Sequence, residues 1–428
     1  MQYKYAKEPI HASALIVEDK LFTDDASKAY LGEFVSGRLL NVYEPILNDE
    51  FVRTAEVDYK KRVIAESLLE LASEYGEFTQ DLVFPMDYFL FDKLHKRAMI
   101  YPPALYSYVK TYTCDTAKEN REFTLRGFAE AADSLASQGI VTVSKRDVKV
   151  VAEKMKGNAL SRVLSLLNLT TRGVTQYAVH GFAGRVGPSV FKNEALSKLK
   201  RMREKVEPPE ELQHPRRLLK LDEGVLFEGS EGIRGELAKV CGFKDFRYEE
   251  KSLGQLYSTT KMVTLRGSEE RKFVVKYFAD IRSVKWALLG LWASGRKFSM
   301  FPQSRLHREY VALRKLKERG VISPAIVGVS LKEKILVREY VEGNLLSDEI
   351  EAVLKSRKSD LTDVARYGRA LAQVHRAGFA IGDAKASNVI IQNGKVYIAD
   401  LEQSLENGDA AWDVAEFLYY TAKLSMKE

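Results

Sequence analysis

The stretch IGDAKASNVIIQNGKVYIADLEQS (residues 381–404) places two carboxylates, an amide and a lysine around a short apolar double run. Val389-Ile390-Ile391 and Val396-Tyr397-Ile398 are rich in β-formers and are joined by Gln392-Asn393-Gly394-Lys395. Asn-Gly is the strongest two-residue hairpin signal, because both central residues of the turn take positive φ. Folding there pairs residue 392 with 395 and brings 388 beside 399. Strict alternation would send Asn388 and Asp400 to opposite faces, so the ladder must break at Asp400 for the two to meet. Two oxygen donors converging at that open end suit a hard cation such as Mg²⁺. Asp383, on the loop entering the hairpin, is a candidate base toward an attacking hydroxyl. Lys385 is placed to neutralise charge on a transferred phosphoryl group. Asx caps at strand ends explain any one of these residues, but not four at these spacings.

The pattern Asp383-x-Lys385-x-x-Asn388, a hydrophobic hairpin and then Asp400 resembles the catalytic and metal-binding segments of protein kinases. The resemblance implies a bilobal α+β fold, ATP and Mg²⁺ (or Mn²⁺) as cofactors, and two partners upstream. KFVVKYF (272–278) sets Lys276 in an apolar strand, where it would grip the nucleotide phosphates. In the helix expected over 304–320, Glu309 falls on the stripe of Leu306, Leu313 and Leu316. A carboxylate on such a stripe calls for a cation, and Lys276 would supply it. The resemblance also makes Glu339 to Val341 the adenine-holding hinge. Asp413 would brace the catalytic loop or, equally, cap its own helix. SLGQLYSTT (252–260) lacks GxGxxG and offers Gly254, with Ser258 and its hydroxyl neighbours, to the phosphates.

Ile381-Gly382 stands where His-Arg is usual, Asp400-Leu401-Glu402 where Asp-Phe-Gly is usual, and 28 residues follow Asp400. A compact C-lobe is expected from this, and the pattern resembles the RIO kinases and the small kinase of the KEOPS tRNA-modification complex. Phosphorylation of protein serine or threonine is the activity implied. A small-molecule kinase of the same fold is a second reading, suggested by the acid at Glu402. An ATPase switch or scaffold acting on an RNA or protein assembly is a third.

A chain of 428 residues, 45% hydrophobic and 29% charged, is expected to form more than one globular domain. Its two cysteines give no disulfide framework or paired metal motif, and no apolar run is long enough to span a bilayer, so a cytoplasmic protein is expected. The net charge of +7 falls entirely after residue 230. The proline-rich EPPEELQHPRR (207–217) marks a break. We therefore expect an α-rich α+β domain over 1–206, a linker over 207–240 and the kinase-like domain over 241–428.

In the first domain, helices are expected over 53–76 and 120–139, the second capped by Asn120 and stopped by Gly139. IVTVSKRDVKVV (140–151) then reads as two strands around a basic turn. Helix and wing together give the outline of a winged helix, or of another α+β packing unit. The basic helix 191–206 reads as a solvated face or as a contact for nucleic acid through this domain. Between Lys276 and Glu309, Trp286 and Trp292 lie in an apolar run whose default role is intramolecular packing.

Overall fold

A hairpin of β1 (Gln2–Lys7) and β2 (Ile10–Leu15) opens the chain and leads into α1 (Asp19–Lys28) and the long α2 (Asp49–Tyr75). The computed structural model describes residues 2–7, 10–100, 103–151, 208–229, 231–253, 260–278, 301–356 and 360–425. The chain divides into two units, Met1–Lys220 and Leu221–Glu428. The Trp286/Trp292 run and the basic helix expected over 191–206 lie outside the described residues.

In the first unit, α2 turns Ala55, Tyr59, Val63 and Leu71 into the core. After it come β3 (Leu82–Pro85), α3 (Met86–Ile100), α4 (Pro103–Thr113), α5 (Ala117–Ser137), β4 (Val141–Ser144) and β5 (Asp147–Val150). Strands β4 and β5 pair antiparallel from Val141↔Val150 to Ser144↔Asp147, and β3 adds to β5 through Phe84↔Val148. The helix-and-wing outline is thus present, with a third strand behind the wing.

Its charge is mixed rather than basic. Exposed Lys118 and Arg126 share α5 with exposed Glu119, Glu130 and Asp133, and wing-tip Arg146 pairs with Glu122 at 2.5 Å. Helix α5 also begins earlier than expected. Asn120 lies inside it and donates to the Thr111 carbonyl at 2.8 Å, a tertiary partner that outcompetes the local cap.

Lys60 is fully buried on α2, paired with Glu56 at 2.5 Å and donating to the Thr124 carbonyl at 2.7 Å. Burial pulls its ammonium from the ordinary 10.5 down to about 8, with Glu56 opposing the shift. Between those two values the unfolded chain still holds a proton that the folded chain has released, so stability rises with pH across that window. We expect the urea midpoint of the first unit, followed by circular dichroism, to increase from pH 8 toward pH 10. Lys60→Met should flatten that rise, leaving the share from Lys93, which burial also pulls down. An unchanged slope in the variant would show that Lys60 is not the titrating group.

The stretch expected to be a linker, 207–240, is largely built. Helix α6 (Glu210–Gln213) and the 3-10 turn Pro215–Leu218 pack on α3, where the ring Nδ1 of His95 lies 2.9 Å from the Leu212 carbonyl oxygen. The prolines end the helix there, but Leu212 still finds a core. β6 (Lys220–Leu221) stands at the division between the units.

The second unit opens with a six-stranded sheet. Its strands are β7 (Val225–Leu226), β8 (Arg247–Ser252), β9 (Thr260–Arg266), β10 (Glu270–Tyr277), β11 (Ile326–Ser330) and β12 (Ile335–Glu339), in the order β7-β11-β12-β10-β9-β8. Val263, Leu265, Phe273, Val275, Ile335 and Val337 pack with Ile233 and Leu237 of helix α7 (Gly232–Cys241). Each such fully buried side chain contributes about 1.5–3 kcal/mol. Alternation along β10 puts Lys276 on the opposite face from Val275.

Helix α8 (Pro302–Glu318) packs on β11 and β12. It starts at Pro302 rather than at residue 304, because proline's fixed φ suits the first helical position. Further along lie β13 (Asn344–Leu345), α9 (Leu346–Ser356), α10 (Thr362–Arg376) and β14 (Phe379–Ala380). The chain closes with β15 (Val389–Gln392), β16 (Lys395–Ile398), β17 (Leu405–Glu406) and α11 (Ala410–Ser425).

Candidate active site

The β15–β16 hairpin folds in the register that Asn393-Gly394 demands, with Gln392↔Lys395 and Val389↔Ile398. Asn393 and Gly394 both carry positive φ, as the turn requires. β16 ends at Ile398, and the Ala399 N–H donates to the Asn388 carbonyl at 2.7 Å. The ladder therefore breaks just before Asp400, and the backbone ties its two ends together.

Asp383 sits on a loop held from behind by α11. The buried Asp413 carboxylate accepts from the Ile381 N–H at 2.7 Å and the Gly382 N–H at 2.8 Å. It also lies 2.9 Å from His375 Nε2, which must carry the hydrogen because a carboxylate only accepts. One turn on, Glu416 accepts from the Ala384 N–H at 3.0 Å. Asp409 caps α11 through the Ala411 N–H, so Asp413 is free to brace the loop. Gly382 takes a φ of 85°, a conformation that a side chain would strain, which accounts for glycine at this step.

The brace leaves the Asp383 carboxylate to its own neighbours. Lys385 Nζ lies 2.6 Å from Oδ1, and Asn388 Nδ2 donates to Oδ2 at 3.0 Å. Burial pulls the Lys385 ammonium down, but its hydrogen bond and charge contact with Asp383 more than reverse this and hold it above its ordinary value.

A second cluster surrounds Lys276. Its Nζ lies 2.8 Å from Glu309, 2.9 Å from Asp400 and 3.1 Å from Glu402. Arg338 approaches Glu309 at 3.5 Å, and Arg305 approaches Glu402 at 3.2 Å. A lone buried charge costs several kcal/mol, but here three acids face three cations. Burial pulls the Lys276 ammonium down, and Asp400, Glu309 and Glu402 together outweigh it and raise it above its usual range. Burial pushes Glu309 up against the pull of Lys276 and Arg338. It also pushes Asp400 up, but there Lys276 wins and holds the carboxyl below its usual value.

Glu309, Asp400 and Glu402 bring carboxylate oxygens within 4.8 Å of one another, as a metal site would. The ammonium already lies among them and takes that position. Asp400 and Asn388, the pair expected to hold a divalent cation, each keep an oxygen that these contacts do not use. Among the described residues, both hydrogen bonds to Asp400 fall on Oδ1, which leaves Oδ2 as a candidate donor to a hard cation. Asn388 engages Asp383 through Nδ2, leaving its amide oxygen.

Of the residues expected to form a hinge, Glu339 donates its N–H to the Ala325 carbonyl at 2.9 Å, and Val341 is buried just beyond the strand. Gly254 and Ser258 lie outside the described residues. Arg305, Arg338, Glu402, His375 and Glu416 had not been singled out for these contacts. The signals were slight: Arg305 lies one helical turn before Glu309, and Arg338 interrupts the apolar strand ILVRE as Lys276 interrupts KFVVKYF.

Residues 296–418 match the family model of the RIO domain. The RIO-like resemblance therefore stands. The matched span contains Glu309, Asp383, Lys385, Asn388, Asp400 and Asp413, and begins after Lys276. The chain is 37% identical over 98 residues to the KEOPS complex subunit Bud32 of Pyrococcus abyssi, covering 23% of this chain and 44% of that protein. It is 31% identical over 115 residues to a probable bifunctional tRNA threonylcarbamoyladenosine biosynthesis protein of Thermoplasma acidophilum, covering 27% of this chain and 20% of that one. The chain thus spans less than half the length of these relatives. The solved bifunctional kinase-methyltransferase WbdD aligns at 18% identity over 42% of this chain and 38% of its own, with a TM-score of 0.29, too low to argue from. Among the described residues, no helix is long and apolar enough to cross a membrane.

Proposed function

We propose that the second unit is an ATP- and Mg²⁺-dependent kinase, with Mn²⁺ as an alternative ion, that phosphorylates serine or threonine hydroxyls of a protein. The observation that carries the reading is the Asp383 carboxylate, fixed by Lys385 and Asn388 on a loop that Asp413 and Glu416 brace. Asp383 accepts the hydroxyl proton as the acceptor oxygen bonds to the γ-phosphorus and the bond to the β-phosphate oxygen breaks, releasing ADP. Lys385 offsets the negative charge on the transferred group. Lys276 holds phosphate oxygens, oriented by Glu309, and the hinge from Glu339 to Val341 receives the adenine. Gly254 and Ser258 complete the phosphate cover. Bound between Asn388 and Asp400, the divalent ion would neutralise phosphate charge.

A second reading, ATP hydrolysis serving a protein or RNA assembly, draws on the relatives named for a KEOPS complex and for tRNA threonylcarbamoyladenosine biosynthesis. Glu402, two residues beyond Asp400, keeps a small-molecule acceptor in view. The test is γ-labelled ATP with Mg²⁺ or Mn²⁺, given to the full chain alone, with a generic protein, or with a small-molecule pool. We expect label on protein. Free phosphate alone would favour hydrolysis, and label confined to the small molecules would replace the protein acceptor with one of them.

A further inference from the structure

An ammonium has three donors. Those of Lys276 face three carboxylates, Glu309 at 2.8 Å, Asp400 at 2.9 Å and Glu402 at 3.1 Å. A phosphate oxygen can reach Nζ only if one of them withdraws. Glu309 is fully buried and held from its other side by Arg338. Asp400 is tethered by the Glu402 N–H at 3.2 Å. Glu402 likewise has a second cation at its carboxylate, but unlike Glu309 it is only partly buried and so has room to move onto that cation. Arg305 Nη1 lies 3.2 Å from Oε1 and 3.4 Å from Oε2. Arg305 sits on α8, one turn before Glu309, so this alternative seat belongs to the same helix face.

We propose that Glu402 is an internal stand-in for a nucleotide phosphate, which occupies Lys276 until it retreats onto Arg305 and gives the ammonium up. This rests on the nucleotide site proposed above and adds a gate to it. The site then has two states: Glu402 spans Lys276 and Arg305, as here, or holds Arg305 alone. Nucleotide affinity is lowered by the free energy needed to move the carboxylate, and any partner that draws Glu402 toward Arg305 would raise it.

The test compares the full chain with Glu402→Gln and Glu402→Asp by calorimetric titration with ATP and with adenosine, in EDTA so that no divalent ion intervenes. Glu402→Gln removes the charge. Glu402→Asp keeps it but is one methylene too short to maintain the Lys276 contact. Both variants should bind ATP about tenfold more tightly, the scale of one charge-assisted hydrogen bond, and adenosine unchanged. Tightening in Glu402→Gln alone would mean that only the charge matters, and the gate is then wrong. Wild-type affinity in both variants overturns it as well. Failure of all three proteins to bind ATP, with or without Mg²⁺, removes the nucleotide site itself.

Discussion

Asp383→Ala should lower phosphoryl transfer by about 10²–10⁴-fold, the range a positioned general base supplies. Nucleotide affinity should change little, because among the described residues Asp383 shares no partner with the Lys276 cluster: its contacts are Lys385 and Asn388. Asp400→Ala should act differently. Asp400 is one of the carboxylates on Lys276, so its loss alters the phosphate clamp as well as the site for the cation. Both turnover and Mg²⁺–ATP affinity should fall. Single-turnover rates with titration calorimetry on the two variants separate these effects. Asp383→Ala with wild-type turnover would remove the proposed base, whatever the acceptor proves to be.

The contrast between those residues follows from what local sequence encodes. Asn393-Gly394 fixes the hairpin register by turn chemistry alone, so the meeting of residues 388 and 399 could be read without knowing the rest of the fold. Lys276 and Glu309 each break an apolar pattern of known period, which makes them visible as a pair. Glu402 and Arg305 break no such pattern. They are 97 residues apart and meet only after the sheet and α8 have packed. Strand β8 was hidden for another reason. RYEEKS reads as polar throughout, yet as an edge strand it is held by the ladder to β9 and by cross-strand pairs, Glu250–Lys261 at 2.6 Å and Glu249–Arg266 at 3.0 Å. Helix α7 fell inside a stretch marked by prolines, whose signal reaches only as far as residue 215.

The first unit holds the residue least legible of all, and with it the largest expected loss of stability. Asp25 is fully buried at the end of α1, and the chain that follows wraps around its carboxylate. Oδ1 accepts from the N–H groups of Leu31 at 2.8 Å and Glu33 at 2.9 Å, and Oδ2 from those of Val35 at 3.1 Å and Ser36 at 2.8 Å. Those partners lie 6 to 11 residues ahead in a loop with no periodicity, so nothing in the sequence announces them. The wrapped loop in turn presents the Glu33 side chain to Arg62 at 2.7 Å, Lys93 at 2.7 Å and Arg97 at 3.0 Å, linking α1 to α2 and α3. Asp25→Ala strands four donors, and a buried donor left unpaired costs about 1–3 kcal/mol. Allowing for relaxation and water entry, a loss of about 4 kcal/mol is expected, a large share of the roughly 5–15 kcal/mol that holds a domain together. Asp25→Asn should rescue little, since its amide group turns donors toward two of the same N–H groups. The readout is the urea midpoint of the first unit by circular dichroism, with tryptophan fluorescence reporting the second unit separately, because all three tryptophans lie beyond residue 285. A midpoint for Asp25→Ala close to wild type would show that the loop finds other acceptors and that the carboxylate is not its anchor.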